Sequence, residues 1–316
     1  MPTVSVIIPT YNHRDFVLAA LDSVFAQTFT DYEVIVINDG SPDDTATLLR
    51  PLADLGRIRY LEQENTGQSI ARNRGIAEAQ GEFIALLDDD DLWPPDKLEW
   101  QMDAMARHPD AGMVGGPTTI VDVFGTPLSR TDFVPELTFK FCVTECPFVS
   151  PGQTLIRASL LRRLGGLDPN IWGADDWDLW LRIAKTSRIV TEDRDALLYR
   201  KHAANASKSL CRMVDNCLRV ADKHLAEISL HERPKATRTA YLWLYSTQGK
   251  PLVSKIKETV KAGQFHLLPP YLIRLARFAK ALSSSPLSAV RFIRDCLPQS
   301  WTTRLHRSVS PRSVQH

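Results

Sequence analysis

Phe83-Ile84-Ala85-Leu86-Leu87-Asp88-Asp89-Asp90-Asp91-Leu92-Trp93 is the stretch whose reading decides the fold. Its first five residues are apolar and short enough to be a strand buried on both faces of a parallel sheet. Four carboxylates follow without a break. Mutual repulsion makes such a run costly in a partly desolvated site. A hard divalent cation, which prefers oxygen ligands, removes that cost. In open α/β sheets the carboxyl ends of strands are also where ligands bind. The run therefore predicts a metal that carries a phosphate-rich ligand. The bland alternative is a solvated acidic loop. The buried strand before the run and the Trp93-Pro94-Pro95 stop after it favour the metal.

Working outward, strand and helix patterns alternate. Val4-Ser5-Val6-Ile7-Ile8-Pro9, Glu33 to Asp39, Ile58 to Leu61 and Phe83 to Leu87 read as strands. Between them, residues 14–27 and 68–80 carry helical apolar spacing, and Ser41-Pro42 has the form of a helix N-cap and first turn. The alternation predicts an α/β fold with a doubly wound, mostly parallel sheet. Ala111–Gly116 and Thr119–Val123 read as strands of a mixed portion of that sheet, and residues 125–150 as loop-rich. Short helices are expected over Ala158–Leu164 and Trp177–Ala184, the Trp177 and Trp180 pair packing in the core.

Charge divides the chain. Residues 1–202 hold 19 Lys/Arg against 31 Asp/Glu, a net of −12, while residues 203–316 hold 19 against 6, a net of +13. Helical spacing over 208–228, 235–247, 252–262 and 271–282 predicts a basic helical appendage spanning 208–307. The tail 308–316 is expected to be disordered. Within 271–294, Arg274, Arg277, Lys280, Arg291 and Arg294 recur on one side, with Leu272, Leu275, Phe278 and Leu282 on another. That pattern fits a helix lying on an anionic membrane surface, or equally one docked on the protein with its charges in water. No stretch is apolar enough to span a bilayer. The five cysteines form no CxxC pair, and the first strand begins at Val4, so a cytoplasmic chain without a signal peptide is expected.

Chemistry-bearing residues collect at strand ends. Pro9-Thr10-Tyr11-Asn12 ends the first strand and Asn38-Asp39-Gly40-Ser41 the second. An Asp acceptor and a Tyr ring face suit a nucleobase, although Asn38 to Ser41 alone would also make a simple turn. Arg72, in Gly67-Gln68-Ser69-Ile70-Ala71-Arg72-Asn73-Arg74-Gly75, can face a pyrophosphate or base in two-pronged fashion, or pair with a local carboxylate. Asp175-Asp176 form a second acidic pair, and His202 follows Tyr199-Arg200-Lys201.

In order and spacing, these segments, together with Gly165-Gly166-Leu167-Asp168 and Asp175-Asp176-Trp177-Asp178-Leu179-Trp180-Leu181-Arg182, resemble family 2 glycosyltransferases of the GT-A fold over residues 2–207. The resemblance implies a nucleotide-sugar donor, most often a UDP-sugar, a divalent cofactor (Mn²⁺ or Mg²⁺) and inversion at the anomeric carbon. It assigns Pro9, Thr10, Tyr11, Asp39 and Arg72 to the nucleobase side, Asp88 and Asp89 to the ribose and metal, and Asp90 to the metal. Four adjacent Asp leave two registers open, Asp88-x-Asp90 and Asp89-x-Asp91, of which the first is preferred. Asp176 becomes the general base, ionised at neutral pH by the helix dipole. Asp175, where the family usually has Glu, and Trp177 fall on the acceptor side, unless Asp175 is only an N-cap. His202 lies near the diphosphate or metal, or is structural. A lipid-linked or polysaccharide acceptor is implied, with an anionic membrane surface at the inner face of the cell membrane as a partner and no nucleic acid. A non-catalytic nucleotide-sugar or glycan-binding protein of the same fold is the alternative. A nucleotidyltransferase is disfavoured, because no Gly-rich phosphate loop follows the first strand.

Overall fold

A computed structural model of the chain describes residues 1–202 and 209–282. The described residues divide into two compact units. One runs from Met1 to Cys142 and resumes at Cys146; the other holds Val143–Glu145 and the residues described from 209 onward. The Asn205-Ala206-Ser207 sequon, Arg291, Arg294 and the tail 308–316 lie outside the described residues.

The first unit alternates β1 (Val4–Thr10), α1 (Arg14–Phe25), β2 (Tyr32–Asn38), α2 (Thr45–Asp54), β3 (Arg59–Glu62), α3 (Gln68–Glu78), β4 (Phe83–Leu86) and α4 (Lys97–Arg107). It continues with β5 (Ala111–Gly115), β6 (Thr118–Val121), β7 (Pro127–Arg130), α5 (Phe139–Thr144), β8 (Thr154–Arg157), α6 (Ala158–Arg163), α7 (Asp175–Thr186), β9 (Arg188–Thr191) and β10 (Leu197–Arg200). Seven strands form the main sheet in the order β3-β2-β1-β4-β8-β5-β9. β1 is buried along its whole length between parallel neighbours β2 and β4. Its Val4, Val6 and Ile8 join Val17, Leu21 and Val24 of α1 in the hydrophobic core. On α3, a Cβ added to Gly75 would come within 2.4 Å of the Ile7 side chain, so glycine lets this helix approach β1 closely.

Three features depart from the sequence expectation. β8 was not anticipated and sits in the middle of the sheet, antiparallel to both β4 and β5. It has four residues and follows Pro151-Gly152, too short for a periodic signal. Its entry is clamped instead by side chains from the β4–α4 region. Trp93 Nε1 donates to Gly152 O at 2.9 Å and Gln101 Nε2 to Gln153 O at 2.9 Å. Second, β6 leaves the main sheet for a separate one, pairing parallel to β10 and antiparallel to β7. The helix expected to open at Ser41-Pro42 begins later, at Thr45. The Ser41 hydroxyl accepts from Asn12 N instead, while Asn38 Oδ1 takes Ser41 N.

The second unit contains α8 (Leu210–Leu225), α9 (Arg233–Leu244), a π-helical turn (Tyr245–Gly249), α10 (Lys250–Lys261), a 3-10 turn (Phe265–Leu267) and α11 (Pro269–Leu282). Leu252, Val253, Ile256, Leu268 and Leu275 form its core, with Leu272 packed against it. α11 is the helix that the sequence allowed to lie on a membrane. Its apolar side is already used: Leu275 and Phe278 are fully buried, and Phe278 meets the rings of Tyr241 and Tyr245. Arg274 pairs with Asp215 and Arg277 with Asp222, both on α8. The docked alternative is the one observed. No described helix is long and apolar enough to cross a membrane.

Candidate active site

The site is built at the carboxyl ends of β1, β2 and β4 and at the start of α7. Each carboxylate of the Asp run meets a different partner. Asp88 Oδ1 pairs with Arg72, and its Oδ2 accepts from Ser150 Oγ at 3.2 Å. Asp89 Oδ1 lies 2.8 Å from His13 Nδ1. Asp90 Oδ2 lies 2.9 Å from His202 Nε2. Asp91 is fully buried and accepts the backbone N–H of Arg200 at 3.0 Å. The Leu92–Leu198 bridge fastens this loop to β10, so Asp91 serves as the clip between loop and strand.

Arg72 organises the site. It is 3% exposed, and besides Asp88 it reaches Asp175 Oδ2 at 3.2 Å. Burial opposes its charge, but Asp88 and Asp175 outweigh burial and raise its pKa. Of the two sequence readings for Arg72, carboxylate pairing is the one observed. It joins the Asp run to the second acidic pair. Asp175 is fully buried, accepts from Ser69 Oγ at 2.7 Å, and is the first residue of α7 rather than its N-cap, which is Ala174.

Asp176 differs from its neighbour. Its carboxylate accepts the Trp177 backbone N–H at 2.7 Å and has no side-chain partner among the described residues. Burial, followed by the charge of Asp175, pushes its pKa up to about 8 against the pull of Arg72. The expectation that the helix dipole keeps Asp176 ionised at neutral pH is thus corrected. A dipole contribution of ~0.3–1 kcal/mol is smaller than the cost of a desolvated charge beside another carboxylate. Trp177 meets the core-packing expectation and departs from the acceptor-side one. It is 2% exposed, and its indole N–H donates to Cys142 O at 2.7 Å. It packs in the core and presents no face to an acceptor. Arg182, six residues after Asp176, pairs with Asp178 on its own helix at 2.8 Å.

On the nucleobase side, Pro9 and Thr10 are buried at the end of β1, and Thr10 Oγ1 has no partner. Tyr11 stands exposed beside them. Asp39 Oδ1 accepts from Gln63 Nε2 at 2.7 Å and Thr66 N at 2.9 Å, and Oδ2 from Gly67 N at 2.8 Å. Asp39 thereby fixes the loop that enters α3. Gly67, at φ +94°, permits the turn there.

Among the described residues, no three His, Cys, Asp or Glu side chains converge as a preformed metal cage. The donor set nevertheless fits a hard cation that arrives with ligands of its own. Burial and the charges of Asp88 and Asp89 raise the Asp90 pKa, and the hydrogen bond from His202 only partly offsets them. Asp89 Oδ2 is buried without a hydrogen-bond partner among the described residues. Mg²⁺-type sites commonly use one or two carboxylates and draw their remaining ligands from phosphate and water.

Sequence reasoning missed His13, Ser69 and Ser150. His13 immediately follows Asn12 and carried a detectable signal, a titratable side chain at a strand end. Its hydrogen bond to Asp89 raises the imidazole to about 9, despite the opposing effect of burial. The two serines had no signal of their own.

A mostly parallel sheet with acidic loops at its carboxyl edge is the arrangement of the GT-A fold. The sequence model of glycosyl transferase family 2 matches residues 5–165. An uncharacterized glycosyltransferase of Rickettsia felis is 30% identical over 254 residues, covering 78% of this chain and 42% of that one. A Bacillus subtilis glycosyltransferase named for teichuronic acid biosynthesis is 38% identical over 138 residues, 43% of this chain and 54% of its own. The chain thus spans about half or less of the length of these curated relatives. The Staphylococcus aureus TarS 1–349 structure in complex with UDP-GlcNAc superposes with a TM-score of 0.68 at 20% identity, over 94% of this chain and 89% of that one. The chain belongs to glycosyltransferase family 2.

Proposed function

We propose that this protein transfers a sugar from a UDP-sugar to a polysaccharide or lipid-linked glycan acceptor, with inversion and with the aid of a divalent metal. The observation that carries the reading is the bridge from Asp88 through Arg72 to Asp175, the residue next to Asp176, which supports treating the Asp run and the second acidic pair as parts of one site. The UDP-GlcNAc complex of TarS supports the donor class, and the teichuronic acid relative supports a cell-surface glycan.

Asp90, with His202 beside it, would hold the cation. When bound, the metal supplies positive charge opposite the departing diphosphate. Asp89 and Thr10 each offer a buried, unpartnered oxygen to the nucleotide. Arg72 holds Asp88 and Asp175 in place, and Asp175 in turn keeps Asp176 basic enough to take a proton. Asp176 receives the acceptor hydroxyl proton as that oxygen attacks the anomeric carbon, and the nucleoside diphosphate leaves from the opposite face. The Asp88-x-Asp90 register accords with this scheme, because Asp91 is committed to Arg200.

The test is release of nucleoside diphosphate from a panel of UDP- and GDP-sugars with Mn²⁺. Release from a UDP-sugar that falls roughly 10²–10⁴-fold in D176N supports the reading, that being the usual range for a general base. No release from any donor, despite tight nucleotide binding, would favour a non-catalytic binder.

A further inference from the structure

His13 directly follows Asn12 after β1, and its ring reaches into the site. It is the residue before α1, and its carbonyl accepts the N–H groups of Phe16 and Val17. From there Nδ1 meets Asp89 Oδ1 at 2.8 Å; a carboxylate only accepts, so the imidazole donates. The ring is packed on two sides. It meets Phe16 edge-on at 5.9 Å and His202 edge-on at 5.9 Å, while Phe16 stacks on His202 at 4.5 Å. Residues 13 and 16 lie one helical turn apart, so one short segment braces both Asp89 and His202.

Asp89 itself is 6% exposed, and its second oxygen, Oδ2, has no hydrogen-bond partner among the described residues. A buried carboxylate oxygen left without a donor is costly unless a ligand supplies one. Vicinal hydroxyls would supply it. We propose that His13 is a positioning residue for the donor: by holding Asp89 Oδ1 it presents Oδ2 to the ribose hydroxyls of the bound nucleotide. This rests on the nucleotide-sugar reading above and assigns a residue to one part of that ligand.

The test compares binding of UDP and of 2′,3′-dideoxy-UDP, both with Mn²⁺, by calorimetry. Three proteins are used: the wild type, His13→Phe and His13→Asn. Phenylalanine keeps the ring and its edge contacts but cannot donate. Asparagine places an amide N–H where Nδ1 stands. The wild type should prefer UDP by about tenfold or more, the usual scale for hydrogen bonds to a charged group. H13F should lose most of that preference by weakening UDP, with dideoxy-UDP changing by less than about twofold. H13N should restore it. A purely structural role would weaken both nucleotides alike. A preference that survives in H13F, or that is absent in the wild type, overturns the proposal, as does an H13N no better than H13F. If H13F does not fold, His13→Leu replaces it with the same outcomes. A wild type that binds neither nucleotide removes the donor reading itself, which is a distinguishable failure.

Discussion

At the scale of single residues, the proposed base Asp176 and its neighbour Asp175 are electrostatically linked. Asp176 has a pKa of about 8, so in the free protein at neutral pH it is mostly protonated. A base works only in its unprotonated form. kcat/KM should therefore climb with pH and level off above about 8, and D176N should remove that limb with the bulk of kcat. Because Asp175 contributes to the raised value, D175N should move the limb toward lower pH. A limb that stays in place in D175N would separate the pair. The presence of an acidic pair before Trp177 was legible in the sequence. Its protonation state was not, because the dipole of a helix start can be read from spacing whereas burial beside a second carboxylate cannot. The Asp run shows the same division. Four adjacent carboxylates announced a site, but four different partners, Arg72, His13, His202 and the Arg200 backbone, could be assigned only in three dimensions.

At the scale of elements, strong local patterns gave β1, β2, β4 and α3 close to their observed bounds, since buried β-branched runs and helical spacing are local signals. β8 had no such signal: four residues, stabilised by side chains from the β4–α4 region, form the antiparallel insertion at the centre of the sheet. α11 was legible as an amphipathic helix, but its partner was not. Three of its residues, Leu275, Phe278 and Ala279, are fully buried within the second unit. F278A should therefore lower the stability of that unit by about 3–5 kcal/mol, the usual cost of such a truncation in a core. UDP affinity should stay unchanged, because the residues of the donor site belong to the first unit. Urea unfolding and calorimetry on the same variant check both halves of that statement. W177F should cost about 1–3 kcal/mol by leaving the Cys142 carbonyl without its donor, again with nucleotide affinity intact. A loss of turnover in W177F without loss of stability would return Trp177 to the acceptor side.

At the scale of the whole molecule, the acidic front and basic back read from composition correspond to two units of different construction. In the first, the carboxylates of the Asp run and of Asp175-Asp176 gather at one end of the sheet, where the proposed cation would offset their charge. In the second, Lys250, Lys255, Lys257 and Lys261 of α10 stay exposed, while the apolar side of α11 is committed to packing. Attraction of the full chain to anionic vesicles should accordingly be electrostatic. It should appear at low salt and vanish near ~1 M salt, where the screening length is about 3 Å. Retention on vesicles at high salt would require an apolar anchor that the described helices do not offer. The central claim is that the Asp run binds a nucleoside diphosphate through a cation at Asp90, and calorimetric titration of UDP with Mn²⁺ or with EDTA, on wild type and D90A, tests it most directly. The account predicts that Mn²⁺ tightens UDP binding by at least about tenfold in the wild type and has no effect in D90A; equal affinities in all four titrations would contradict it.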